Sequence, residues 1–428
     1  MSVTTAGVSE SWRYHPARDA LLAEAHARPS TPLLAPTLVS RIATLSGEAG
    51  AEADRAHMAA LCRRLGQPEP GPDSRWCVVD AGSWRLRWER HTEVSTWTFF
   101  RSAGAAPFAE TAMDLAPRDW LAGWPGQVLV ATRLEVRPAS EFDKALALFG
   151  GEAVGARLAD GGDAAVTDFR TDALGMTRFV LLDGSGDAAL TGRLVQTLLE
   201  IETYRLMALL AFPVAGDATT ALTDIEARAA TLATQLAEES DPEADRQLLG
   251  RLATVAGETE ALIGRTSFRF RAAAAYHGIV RERIERLREQ HIEGLPTIGE
   301  FMQRRLDPAM RTCDAVAERQ RATIDRIARM AQMLNTRVEV AAEATSVALL
   351  ASMDRRAGQQ LRLQQTVEGL STAAIAYYAV SLLVYPLKAL EEHWPSLNSA
   401  IAAGILAPFI VAGVWFWLKS RRGSLGES

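Results

Sequence analysis

The spacing of hydrophobic and polar positions changes once along this chain of 428 residues. Up to about residue 183 it is short. The runs TLVSRIATL, RWCVVD, WRLRWERH, STWTFFRS, QVLVATRLEV, AAVTDF and TRFVLLD concentrate β-branched and aromatic residues between turn-forming ones, the composition of strands. In WRLRWERH, Trp84, Leu86 and Trp88 alternate with Arg85, Arg87 and Glu89, which predicts a half-buried strand, and STWTFFR after a short turn completes a hairpin. Helical stretches around 49–66 and 140–149 interrupt the strands. Residues 1–187 are therefore expected to form an α/β or α+β domain in the cytosol.

From about residue 188 the period becomes helical, with helices expected at 188–211, 216–240, 242–264 and 267–290 and a long one from about 308. Pro213, Pro242 and the segment HIEGLPTIG mark the breaks. In the long helix Ile324, Ile327, Ala331, Leu334, Val338, Ala341, Thr345, Ala348 and Ser352 recur at alternating spacings of three and four, a coiled-coil seam. Such a seam joins copies of the chain or packs on the chain's own helices, and the spacing does not choose between them. No proline follows before Pro386, so this stalk, closing a helical region over 188–365, is expected to enter the membrane segment as one rod.

That segment, residues 366–418, holds two charge-free runs, GLSTAAIAYYAVSLLVYPL and SAIAAGILAPFIVAGVWFWL. Each is long enough to cross a hydrocarbon core of ~30 Å at ~1.5 Å per residue. Arg355, Arg356 and Arg362 precede the first run; Lys419, Arg421 and Arg422 follow the second in the basic tail 419–428; the loop KALEEHWPSLN sets one lysine against Glu391 and Glu392. The positive-inside rule then places both termini in the cytoplasm. Tyr385, Trp394, Trp415 and Trp417 fall where interfacial aromatics are expected.

Composition narrows the chemistry. A net charge of −6 argues against nucleic acid as a partner. Cys62, Cys77 and Cys313 have no zinc or disulfide spacing, and the N-terminus lacks a secretory signal. The glycines of FVLLDGSGDAALTGR resemble a phosphate loop, but no Walker lysine and no acidic residue about 20 positions on completes a nucleotide fingerprint. A tight turn is the better reading. The window HPARDALLAEAHARPSTP is the densest in titratable groups. Pro16 and Pro29 bracket a helix over about 16–27, in which Glu24 and His26 are two apart and point to different faces, so they cannot chelate. A structural role as a capped helix is expected, with no catalytic residue, cofactor or metal site assigned, and the protein is not expected to be an enzyme.

The residues His15, Pro16, Arg18, Glu24, His26, Ala27, Arg28 and Pro29, taken with the double C-terminal span, resemble a bacterial family of predicted membrane-anchored proteins, domain of unknown function 3422. The likeness covers the whole chain and implies an anchor in the bacterial inner membrane. A looser likeness of architecture is to the CorA-type magnesium channels, which implies a homo-oligomer and a divalent cation. The Gly-Met-Asn that should follow the first span of such channels is replaced here by Tyr385, Pro386, Leu387 and Lys388. Two functions compete. In a cation channel or transporter, Arg362 at the cytoplasmic mouth and the hydroxyls of Thr372, Tyr377, Tyr378, Ser381 and Tyr385 would line a pore or helix contact. In a scaffold, the lipid bilayer only anchors a partner-binding domain, and the same hydroxyls join helices.

Overall fold

The computed structural model describes residues 13–19, 21–22, 30–104, 106–238, 241–393 and 398–423. The elements run β1 (Thr37–Leu45), α1 (Ala51–Arg64), β2 (Trp76–Asp80), β3 (Arg85–Arg90), β4 (Val94–Ser102), α2 (Arg118–Leu121), β5 (Gln127–Pro138), α3 (Phe142–Ala147), β6 (Val154–Leu158), β7 (Asp163–Thr171) and β8 (Thr177–Asp183). Then follow α4 (Ala188–Leu209), α5 (Ala211–Glu238), α6 (Pro242–Leu287), β9 (Gln290–His291), α7 (Ile298–Arg305), α8 (Asp307–His393) and α9 (Ser399–Gly423).

The strands form one mixed sheet in the order β2-β3-β4-β1-β5-β8-β7-β6-β9. Only β5 and β8 pair in parallel; every other neighbour is antiparallel. One face carries the apolar core. Leu86, Trp88, Trp97, Phe99, Ile42 and Val79 pack there with Met58, Leu61 and Cys62 of α1 and with Trp120 of α2. Trp84, Trp88 and Trp97 are core, as predicted for these strands: Trp88 and Trp97 are fully buried, and their indole N–H groups donate to Ser95 and Thr44. Cys62 and Cys77 meet in the same cluster as free thiols.

The opposite face corrects the half-buried reading of WRLRWERH. Arg87 and Glu89 are each 4% exposed, because α4 covers this side, where Met207 packs on Ala43, Val94 and Val130 and Glu202 accepts from Thr177 at 2.9 Å. A sheet covered on both faces buries its polar positions as well as its apolar ones.

The glycine-rich turn before α4 is a turn held by carboxylates. Asp163 accepts from the amides of Gly184 and Ser185, Asp183 from Gly186, and Asp187 from Ala189 and Leu190. The amides that would cradle a phosphate are already committed. Downstream, the two helices expected over 242–290 are the single helix α6, and the Thr266 hydroxyl at the expected break donates back to the carbonyl of Leu262 within it. Pro213 is the third residue of α5, where a missing N–H costs nothing, and the break lies at Leu210. Strand β6, strand β9 and helix α7 are additions to the sequence reading. For α7 the T-x-x-E spacing was the available signal, since Thr297 and Glu300 form a capping box.

By internal contacts the chain divides into two units, Met1–Gln235 with Gly250–Met330, and Leu236–Leu249 with Ala331–Ser428. In the first, α8 joins α5 and α6 through Arg319 and Thr323 to Glu226 and Gln320 to Thr266. In the second, Arg337 donates to the carbonyl of Leu236 at 2.8 Å and pairs with buried Asp245. The seam is therefore intrachain in its first half: Ile327 and Leu334 are buried, and Ile324, Ala331, Val338 and Ala341 half-buried. Its second half is not, since Thr345 and Ala348 are exposed.

Candidate functional site

The first unit buries a polar network between its sheet and α4. Strand register places Arg87, Thr98 and Arg41 side by side on β3, β4 and β1, with Glu89 and Thr96 in the adjoining row. Arg41 is 3% exposed. Its Nε donates to Thr98 Oγ1 at 2.9 Å, and its nearest carboxylate oxygen, on Glu89, is 4.0 Å away. Burial lowers the Arg41 pKa, and Glu89 only partly restores it. Glu89 itself is held by Arg87, at 3.0 and 2.9 Å.

Helices α4 and α6 close the network. Glu200 accepts from Gln196 at 2.8 Å and from Arg283. Burial pushes the Glu200 carboxyl up, but these donors and the charges of Arg283 and Arg41 outweigh it and hold the pKa below the usual range. Tyr204 stacks on Tyr276 with ring centres 5.6 Å apart. Tyr276 donates to Glu93 at 2.8 Å, and Arg269 grips the same carboxylate at 3.1 and 2.9 Å. Burial and the bond to Glu93 push the Tyr276 phenol up.

Two cavities meet here. An inner chamber of about 150 Å³ is bounded by Arg41, Glu89, Thr96, Glu200, Tyr204 and Arg283. An outer cleft of about 470 Å³ shares Gln196, Glu200 and Arg283 with it and adds Ser30, Arg193, Arg286 and Arg288. The Thr96 hydroxyl is buried without a hydrogen-bond partner. Sequence reasoning missed this site, and the signal it could have used is the seven-residue recurrence of Arg269, Tyr276 and Arg283 along α6.

The residues singled out from the sequence lie elsewhere. His15 is exposed and accepts from the amide of Ala17 at 3.1 Å; Pro16 is exposed in the same turn; exposed Arg18 lies over the Tyr14 ring. Glu24, His26, Arg28 and Pro29 lie outside the described residues, although the chain next to them, at Ser30, borders the outer cleft. Among the described residues no three His, Cys, Asp or Glu side chains converge as a metal site requires. In α8, Arg362 is exposed, Thr372 is half-buried and donates to the carbonyl of Glu368, and Ser381 is half-buried. Tyr377, Tyr378 and Tyr385 are 69%, 66% and 75% exposed, and the first two rings meet edge-on. The hydroxyls thus divide between covered and open faces and do not form one row.

Among the described residues three helical stretches are long and apolar enough to cross a membrane: Ala188–Glu238, one within Ile298–Leu390, and Ser399–Trp417. The class so defined is an α/β unit with a mixed sheet, followed by long helices compatible with membrane association. The chain belongs to the family described as Protein of unknown function (DUF3422), which matches residues 13–425. No curated protein matches it, and no solved structure does, so the channel likeness carries no weight beyond the order of its elements.

Proposed function

We propose that this protein is a homo-oligomer anchored in the bacterial inner membrane by two C-terminal spans, with the N-terminal unit and the basic tail both in the cytosol. The observation that carries the reading is the bareness of α8 from Ala342 to Gln365, where only Ser352 is even half-buried. Val347, Leu349, Leu350, Met353, Leu361 and Leu363 are each between 58% and 70% exposed. Covering each such side chain is worth on the order of 1.5–3 kcal/mol, and this stretch lies before the charge-free run, where water rather than lipid surrounds it. A second copy supplies the same face at the same height. Gly369 and Ala373 then let the helices approach as they enter lipid.

The first apolar stretch, Ala188–Glu238, is read as core. A third of its most apolar window is buried, against 6% for each of the other two, and it carries the buried Glu202 against the sheet. The open faces of Tyr377, Tyr378 and Tyr385 support a cation path between first spans as the more specific form of the reading. A scaffold without transport is its alternative.

In a background lacking native cysteines, cysteine at Val347 or Leu361 is expected to crosslink between chains. Cysteine at Leu334, which is covered within its own chain, is not. A monomer in mild detergent with no crosslink at either position would overturn the oligomer. Reporter fusions test the orientation, and a periplasmic reporter active at Ser428 would reverse it. Flux of magnesium into liposomes separates the cation path from the scaffold.

A further inference from the structure

We propose that the inner chamber and outer cleft of the first unit form one binding site for a small organic oxyanion, whose carboxylate or phosphoryl group is held by Arg41 and the Thr96 hydroxyl. Three features of the chamber converge. Both carboxylates in the chamber wall are already engaged by other groups, Glu89 by Arg87 and Glu200 by Arg283 and Gln196. Arg41 is left with one hydrogen bond, to Thr98, and its nearest carboxylate stands off at 4.0 Å. A buried guanidinium so weakly partnered is costly without a further acceptor. Thr96, 2% exposed, adds a hydroxyl with no partner at the same chamber.

The cleft supplies the way in. Arg193, Arg286 and Arg288 line it, and it meets the chamber at Arg283, Glu200 and Gln196. Its volume of about 470 Å³ suits a small metabolite, and its arginines concentrate anions at the entrance. The bond between Arg283 and Glu200 sits where the two spaces join, so the ligand's head must pass beside it.

The test uses the full chain purified in detergent, with calorimetric titration and thermal shift against acetate, succinate, citrate and inorganic phosphate. Glycine serves as a charge-balanced control and chloride as a simple-anion control. A carboxylate or phosphate is expected to bind and raise the melting temperature, and the panel separates the two sources of the oxyanion. Thr96→Val is the decisive variant, because a hydroxyl without a partner can be removed without loss of fold. It should leave the unliganded melting temperature unchanged or higher while weakening binding about tenfold or more, as expected for a hydrogen bond to a charged group. Arg193→Ala should slow association and steepen no other property. The proposal fails if no oxyanion of the panel binds, if glycine binds in their place, or if Thr96→Val binds as tightly as the natural chain.

Discussion

Glu93 ties the sheet to α6, and its replacement tests how much that tie contributes. The carboxylate is 5% exposed and accepts from Tyr276 at 2.8 Å and from Arg269 at 3.1 and 2.9 Å. Glu93→Gln keeps the shape but removes the charge, leaving the Arg269 guanidinium beside a neutral amide. Removing one member of a buried pair costs ~3–5 kcal/mol. The Arg269 side chain is 23% exposed, so water recovers part of this, and a loss of ~2–4 kcal/mol in denaturant unfolding is expected. The phenol gives a second readout. Burial and Glu93 both raise the Tyr276 pKa, so Glu93→Gln should lower it while burial keeps it above the ordinary tyrosine value. Ultraviolet titration with Tyr276→Phe as the reference assigns the signal. The linkage has a definite sign, because a raised folded pKa stabilises the protein fully below the ordinary phenol pKa and the contribution drains away as pH climbs through the raised value. The variant should lose less stability over that alkaline window. An unchanged phenol titration together with unchanged unfolding would refute the tie.

Three smaller predictions follow from packing. Gly192→Ala should destabilise by ~1–3 kcal/mol, since a Cβ there would lie 2.0 Å from the carbonyl of Thr31; a melting curve checks it. Trp97→Ala should cost ~3–5 kcal/mol, because this side chain is fully buried among Trp88, Trp120 and His57; loss of cooperative unfolding or expression in inclusion bodies is the observable. His15→Ala should move stability by no more than ~0.5 kcal/mol, since His15 is exposed and its hydrogen bond is local; a drop of several degrees in melting temperature would show that it has a partner in the intact protein.

The strands of the sheet were legible because their apolar face obeys a period of two and their ends carry turn residues. The predicted TLVSRIATL and TRFVLLD are β1 and β8 to the residue. β6 was not legible, because VGARL offers a glycine and an alanine where larger side chains would announce a strand; Gly155 is required there, as a Cβ would meet the carbonyl of Ala165 at 2.8 Å. The stalk shows a different limit. Its spacing of three and four marks a packed seam equally well against α5 and α6 or against another copy, and the structure assigns the first half to the chain itself.

The polar network was hidden by the rule that made its strands visible. An alternating strand is read as apolar inward and polar outward, which holds for a sheet with one face in water. Here the polar face lies beneath α4, so Arg41, Arg87 and Glu89 are buried with the same sequence pattern they would show if solvated. What distinguishes the two cases lies in the helices. Gln196, Glu200 and Tyr204 recur every four residues on α4, and Arg269, Tyr276 and Arg283 every seven on α6, so each helix turns a polar stripe toward partners of its own kind. A helix that buries such a stripe needs partners opposite it: Glu200 of α4 meets Arg283 of α6, and Arg269 and Tyr276 of α6 meet Glu93 beside β4. The polar stripes of α4 and α6 are therefore one device, and substituting Glu200 or Arg283 alone leaves the other desolvated without its partner.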